Sequence, residues 1–182
     1  MGKIKVFVGS IVDDCFLKDA DAIVNATNPA MLHGAGVCGV IFDKAGVEKL
    51  ENYTKNQFDI VFDGGYRNLM QVTEVRITPG FNINCDIIFA QGPKVWDYAN
   101  YEEAESMLLK TYENVVNISL QKGYKNILTP SLGTGIYGFK HKNVAPKVIG
   151  LLQKLIKEKA LNISFIVYEK ENYEIYNQYL LK

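Results

Sequence analysis

The chain has 182 residues, of which 48% are hydrophobic and 22% charged. A chain of that length buries roughly 70% of the surface its unfolded form exposes, so it needs no metal or disulfide staple, and the composition excludes a disordered or fibrous protein. Twenty basic residues cancel twenty acidic ones, which excludes a broad electrostatic grip on duplex nucleic acid or an anionic membrane and leaves room only for a local basic patch.

Lys3 to Val8 alternates polar and apolar residues and predicts a strand with one wet face. Ala22 to Ala26 is a short apolar run, read as a buried strand. Val37 to Ala45 and, more weakly, Val47 to Lys55 carry helical patterns. Val72 to Thr78 alternates again, and Asp86 to Gln91 reads as another buried strand. The clearest helix follows Asn100, whose N-cap partner is Glu103, and carries Ala104, Leu108, Val115 and Ile118 at helical spacing up to Gly123. Asn126 to Thr129 predicts a strand ending at Pro130. Val144, Val148, Leu151, Leu152 and Leu155 mark a second amphipathic helix, in which Pro146 is tolerable only in the first turn. Ser164 to Tyr168 predicts a strand and Glu171 to Leu181 a closing helix. Strands alternating with helices imply an α/β domain whose largely parallel sheet is covered on both faces. Ligands then bind at the carboxyl ends of the strands.

No linker, repeat or charge block divides the sequence, so residues 1–182 are expected to form one domain. Cys15, Cys38 and Cys85 are an odd, widely spaced set, which fits a reducing compartment. The first residues lack the apolar run of a signal peptide, Val6 stands where a myristoylation signal wants Ser or Thr, and no stretch has the length of a membrane span. A cytoplasmic protein without membrane contact is expected. Two distant histidines and scattered cysteines lack ligand spacing, so neither a metal nor a cofactor is expected.

Two segments match G-x-G-x-x-G: Gly34 to Gly39 and Gly133 to Gly138. Each lies between an expected strand and an expected helix. Glycines let backbone N–H groups approach a phosphate without a Cβ in the way, so two such loops at one sheet edge would clamp a diphosphate without needing a lysine. Tight strand-to-helix turns are the plainer reading of either loop alone. A nicotinamide dinucleotide fold wants its glycines directly after the first strand. Here Thr27 to His33 intervene, and no well-placed second strand ends in an acid, although Asp59 and Asp63 lie in range.

The flanks of these loops resemble the macrodomain family. Asp21 to Asn28 is similar to that family's strand ending in an Asn-Ala-Ala-Asn box, and His33-Gly34-Ala35-Gly36-Val37 to its His-Gly-Gly-Gly-Val loop. Thr129 to Gly138 resembles its second phosphate loop, and Thr78 to Asn82 and Gly92-Pro93 resemble shorter motifs. The resemblance runs from about Val8 to Tyr176. It implies a three-layer α/β/α sandwich around a mixed, mostly parallel sheet, with ADP-ribose lying across the strand ends. By the same resemblance, Gly34, Gly36, Val37 and Cys38 would border one phosphate. Ser131, Gly133, Thr134, Gly135, Ile136 and Tyr137 would cradle the diphosphate from the other side, and Asn28 would hold the distal ribose. Ser10 and Ile11 would meet the adenine, on which Tyr168 would stack. Without the resemblance, Asn28 reads as a turn or cap residue and Tyr168 as rim packing.

Three departures from the family pattern bear on function. Ser10 stands where members that read the adenine amino group carry Asp, with Asp13 or Asp14 as neighbours able to compensate. Cys38 and Phe42 occupy the Asp and His positions of one hydrolytic branch, and Ala35 replaces the middle glycine. Another hydrolytic branch lacks that Asp and keeps the Asn and the loop His, present here as Asn28 and His33. The resemblance therefore implies binding of ADP-ribose, as a free ligand or on a protein or metabolite, and hydrolysis of an ADP-ribosyl linkage. Asn28 and His33 would be its catalytic residues, the histidine orienting the ribose or assisting proton transfer. The alternative is a non-catalytic ADP-ribose reader. Cys38, at a helix start that would lower a thiol pKa, is either reactive or a small buried filler.

Overall fold

The computed structural model describes residues 1–60, 65 and 68–180. Among them six strands form one sheet: β1 (Ile4–Val8), β2 (Ala22–Ala26), β3 (Val75–Thr78), β4 (Asp86–Ala90), β5 (Asn126–Thr129) and β6 (Asn162–Val167). Their order is β1-β6-β5-β2-β4-β3. Every neighbouring pair is parallel except β3 against β4. Six α-helices surround it: α1 (Asp14–Leu17), α2 (Val37–Ala45), α3 (Val47–Gln57), α4 (Tyr101–Gln121), α5 (His141–Ile156) and α6 (Lys170–Asn177). The architecture is the expected α/β sandwich around a mixed, mostly parallel sheet. No helix among the described residues is long and apolar enough to cross a membrane.

Successive side chains of a strand point to opposite faces, and the buried strands divide their apolar residues accordingly. Val24, Ile88, Ala90 and Ile127 pack with Leu108, Val115, Val148 and Leu152 of α4 and α5. Ile23, Ile87, Phe89 and Leu128 pack with Ile41, Phe42 and Leu50 of α2 and α3. This is why Ala22 to Ala26 reads as a continuous apolar run and not an alternating one: β2 has a core on each side.

The local signals hold at most element ends. Asn100 Oδ1 accepts from the Glu103 backbone N–H at 2.9 Å, capping α4 as its sequence predicts. The Glu103 carboxylate answers by accepting from the Asn100 side-chain amide at 3.1 Å. Two expectations are corrected. The strand expected from Val72 begins at Val75, because Gln71 to Glu74 close a turn with Thr73 in the left-handed region (φ 72°). Pro146 is the sixth residue of α5 and therefore lies beyond its first turn. The bond it cannot donate would have reached back to Lys142, which is exposed, so water can satisfy that carbonyl. Of the sequence expectations, Asp63 and Leu181 lie outside the described residues.

The start of the sheet is tied by one carboxylate. Asp21 Oδ2 accepts the backbone N–H groups of Lys125 at 2.6 Å and Asn126 at 2.8 Å, while its own carbonyl accepts from Asp86. One residue thus joins the entries of β2, β5 and β4. Replacing Asp21 by Ala removes two charge-assisted bonds and should lower the unfolding free energy by about 2 kcal/mol, measured by urea denaturation. A loss below about 0.5 kcal/mol, the scale of a neutral surface change, would show that β5 registers on β2 without it.

Candidate active site

A cavity of about 400 Å³ lies where the segments following β2, β5 and β6 meet, within the size range of small-molecule sites. The sheet order β6-β5-β2 sets its long direction. Ala26, Thr27 and Asn28 stand at the β2 end, Pro130 and Ser131 in the middle, and Ile166 to Glu169 at the β6 end. A second depression of about 420 Å³, lined by α3 and Phe81, lies away from these strand ends and has neither glycine loop in its lining.

The first wall is the segment Gly34 to Cys38. Gly36 caps α2 at φ 61° and ψ −134°, a conformation that L side chains avoid, and a Cβ there would meet nothing within 4 Å. Its backbone therefore faces open space. Among the described residues no side chain caps α2, so the amides of its first turn can serve as anion donors. Close packing also demands glycine at Gly39, where a Cβ would lie 2.4 Å from the Gly34 carbonyl oxygen.

Asn28 braces this wall. Its Nδ2 donates to the Leu32 carbonyl at 2.7 Å, and its Oδ1 accepts the Leu32 N–H at 3.1 Å. One amide edge thus closes the turn from Asn28 to Leu32, with Met31 held in the left-handed region (φ 53°) and fully buried. Such strain persists only where the surroundings over-determine it. The second amide hydrogen and the remaining carbonyl lone pair of Asn28 stay available at the cavity lining.

The second wall is the loop after β5. Gly133, Thr134, Gly135, Ile136 and Tyr137 line the cavity together with Ser131. Thr134 Oγ1 donates to the Ser131 carbonyl at 2.9 Å, and the Gly138 and Phe139 amides close back on Gly135 and Gly133. Tyr137 reaches across to β2, its hydroxyl donating to the Thr27 carbonyl at 3.3 Å. It thereby ties the second wall to the end of β2, while the Lys94 ammonium sits 5.8 Å from its ring centroid. Ser131 Oγ is hydrogen-bonded to the Tyr176 hydroxyl beneath it.

Among the residues singled out from the sequence, Asn28, Gly34, Gly36, Val37, Cys38, Ser131, Gly133 to Tyr137 and Tyr168 line this cavity, together with the departure Ala35. Tyr168 is 52% exposed directly after β6, at the rim and not in the core. Three residues are not brought in. His33 Nε2 lies 3.1 Å from Asp43 Oδ1, its ring packs edge-on to Phe42, and its backbone N–H donates to Glu51. Its imidazole therefore faces α2, outside the lining. Ser10 and Ile11 also fall outside it, Ile11 being 1% exposed within the core beneath α2. Their acidic neighbours are engaged elsewhere: Asp13 Oδ2 accepts the Ser10 N–H, and Asp14 pairs with Lys44.

Cys38 resolves toward filler. Burial pushes its thiol pKa up, against smaller opposing effects of the Asn25 amide and the Gly34 backbone. Its Sγ donates to the Leu32 carbonyl and accepts from Asn25 Nδ2, both at 3.6 Å. Ala26, Thr27 and Pro130, which lie inside the two motifs without an expected role of their own, and His141, Ile166, Val167, Glu169 and Asn172, to which the sequence assigns no site role, complete the lining. The strand-end rule would have found Glu169, one residue beyond Tyr168. His141 and Asn172 carry no local signal at all.

The macro domain family model matches residues 24–148, which span both cavity walls. An O-acetyl-ADP-ribose deacetylase of Pantoea vagans is 29% identical over 97% of this chain and 97% of its own length. The macrodomain of Oceanobacillus iheyensis, solved with ADP, superposes with a TM-score of 0.81 at 26% identity, covering 98% of this chain and 90% of that one. The macrodomain of Trypanosoma brucei in complex with ADP-ribose superposes at 0.77 and 26% identity, over 96% of this chain and 68% of the other. With the same sheet, and with two glycine walls set at its strand ends, this chain belongs to the macro domain family.

Proposed function

We propose that this chain binds ADP-ribose along the cavity and hydrolyses an ADP-ribosyl linkage at the distal ribose. The observation that carries the reading is the facing of two glycine walls across one cavity, with Asn28 at one end and Tyr168 at the other. The diphosphate lies between the backbone at Gly36 to Cys38 and the loop Gly133 to Tyr137, where amides and a helix start replace lysine as the anion partner. The distal ribose meets Asn28, and the adenine lies beside the exposed ring of Tyr168. Support also comes from the ligands of the structural neighbours, ADP and ADP-ribose, and from relatives bearing the name O-acetyl-ADP-ribose deacetylase.

Hydrolysis in this site rests on positioning. Water supplies the oxygen that attacks the carbon bearing the leaving group, the bond to that group breaks, and the proton of the water leaves with solvent or the departing oxygen. The second amide hydrogen of Asn28 and its free lone pair hold the ribose hydroxyls, so that the attack geometry is set before reaction. His33 is assigned a positioning role in place of proton transfer. Its contact with Asp43 fixes the entrance to the first wall one residue before Gly34.

One observation favours a second reading, a non-catalytic reader. Among the described residues no side chain at the Asn28 end of the lining stands ready to take a proton, because His33 faces α2, Phe42 is in the core and the Cys38 thiol is held protonated by burial. The two readings share the binding site and part at turnover. Calorimetric titration with ADP-ribose, AMP and ADP tests the site, and ADP-ribose should bind with clear selectivity. Release of ADP-ribose from a mono-ADP-ribosylated protein, and of acetate from O-acetyl-ADP-ribose, tests the chemistry. Binding without release of either leaves only the reader.

Gly135→Glu should abolish binding with an unchanged melting temperature. Gly135 lies outside the left-handed region, and a Cβ there would meet nothing within 4 Å, so the carboxylate enters the cradle without a backbone penalty and repels the diphosphate. Normal binding by that variant would move the phosphates elsewhere. Asn28→Ala should lower turnover at least tenfold more than it lowers affinity, roughly the loss of one hydrogen bond made best in the transition state. Equal losses in the two would assign Asn28 to ground-state binding.

A further inference from the structure

The β6 end of the cavity is polar in a way that the phosphate walls are not. His141, the first residue of α5, lines it together with Glu169 and Asn172 at the start of α6. The imidazole packs edge-on against Tyr176, with ring centroids 5.9 Å apart, and its Nδ1 is sealed from solvent without a hydrogen-bond partner. Asn172 Nδ2 donates to Glu169 Oε2 at 3.5 Å. These three side chains come from two helices and converge on the end of the cavity farthest from Asn28.

The ring's surroundings select its tautomer. A bare nitrogen lone pair is less costly to seal without a partner than an N–H group, so the proton of the neutral ring belongs on Nε2. Burial favours the neutral form by pushing the pKa of His141 down, against the opposing pull of Glu169 and Glu171. Nδ1 being sealed, the ring meets the cavity through its remaining edge, which carries the Nε2 donor. Beside that donor stand the Glu169 carboxylate, which only accepts, and the Asn172 amide, which does both. Donor, acceptor and amide at one place match adjacent hydroxyls, each of which also gives and takes a hydrogen bond. They do not match a phosphate, which would face the Glu169 carboxylate with no lysine or arginine among the described lining residues.

We propose that His141, Glu169 and Asn172 form a sugar-hydroxyl subsite that reads the 2′- and 3′-hydroxyls of the adenosine ribose and rejects a phosphate at the 2′ position. The inference rests on the ADP-ribose reading of the cavity: with the diphosphate between the glycine walls and one ribose at Asn28, the other ribose falls on the β6 side. Of the three, the strand-end rule marks only Glu169, and together they give this chain a discrimination separate from the phosphate walls.

The test is calorimetric titration of the intact chain with ADP-ribose, with its 2′-phosphate and with its 2′-deoxyadenosine analogue. Wild-type protein should bind both analogues about tenfold more weakly than ADP-ribose, the scale of losing or opposing one charge-assisted hydrogen bond. Glu169→Gln, at an exposed position, should shrink the penalty on the 2′-phosphate at least threefold. His141→Phe keeps a ring against Tyr176 and should shrink the penalty on the deoxy analogue. Melting temperatures establish that each variant is folded, and a poorly folded His141→Phe leaves the Glu169→Gln comparison to decide. Tight binding of all three ligands within a factor of about two, or variants that weaken all three equally, would overturn the subsite while leaving ADP-ribose binding intact. Failure of wild-type protein to bind ADP-ribose at all would remove the reading and the subsite together.

Discussion

The seating of β5 between β2 and β6 is the constraint on which the cavity depends. Parallel pairing places Ala22 beside Ile127 on one side of β5, and Ile127 beside Ile163 on the other. Because all three strands run the same way, the chain leaves each of them at the same edge. The β2 box is brought together with the loop after β5 and the start of α6, each of which lies more than a hundred residues further along the chain. The Asp21 carboxylate contributes at the opposite edge, where it accepts the N–H groups that lead into β5. A strand slipped by one residue would turn every side chain to the other face, and the two cores on either side of the sheet forbid that.

The polar economy of the site follows from a chain of zero net charge. In the proposed reading the walls hold their anion with backbone, so the demands fall on conformation and close approach: an uncapped helix start at Gly36, a tight passage at Gly39, a left-handed Met31 braced by the Asn28 amide. Side chains serve mostly to fix that backbone. Tyr137 joins the second wall to the end of β2 through Thr27, and Ser131 is anchored on Tyr176 beneath it. The same Tyr176 carries the His141 ring, so the middle of the cavity and its β6 end share one support.

Charge is distributed unevenly along the cavity. At the Asn28 end no side chain among the described residues is available to take a proton, and any chemistry there depends on where groups are held. At the β6 end an imidazole and a carboxylate stand together beside an exposed aromatic ring. That asymmetry matches a division of labour in which one end positions a reacting sugar and the other recognises a nucleoside.

Much of the fold was legible in the sequence, because its signals are local. Apolar periodicity marked both long helices, continuous apolar runs marked β2 and β4, and Asn100 with Glu103 marked the start of α4. The glycine walls were legible for the same reason, since a backbone that must turn tightly or approach a neighbour closely declares itself through a missing Cβ. The tertiary structure decided what depends on distant neighbours. Asp43 and Phe42 turn the exposed His33 ring toward α2, an orientation that is not written in the motif around Gly34. The exposed position of Lys142 at the start of α5, where water can take the bond Pro146 cannot donate, lets Pro146 sit deeper in α5 than a helix rule allows. His141, Glu169 and Asn172 become one polar cluster only because β6 lies beside β5. Sequence determines the conformation a segment prefers, and the pairing of strands determines which side chains, far apart along the chain, share the same few ångströms of space.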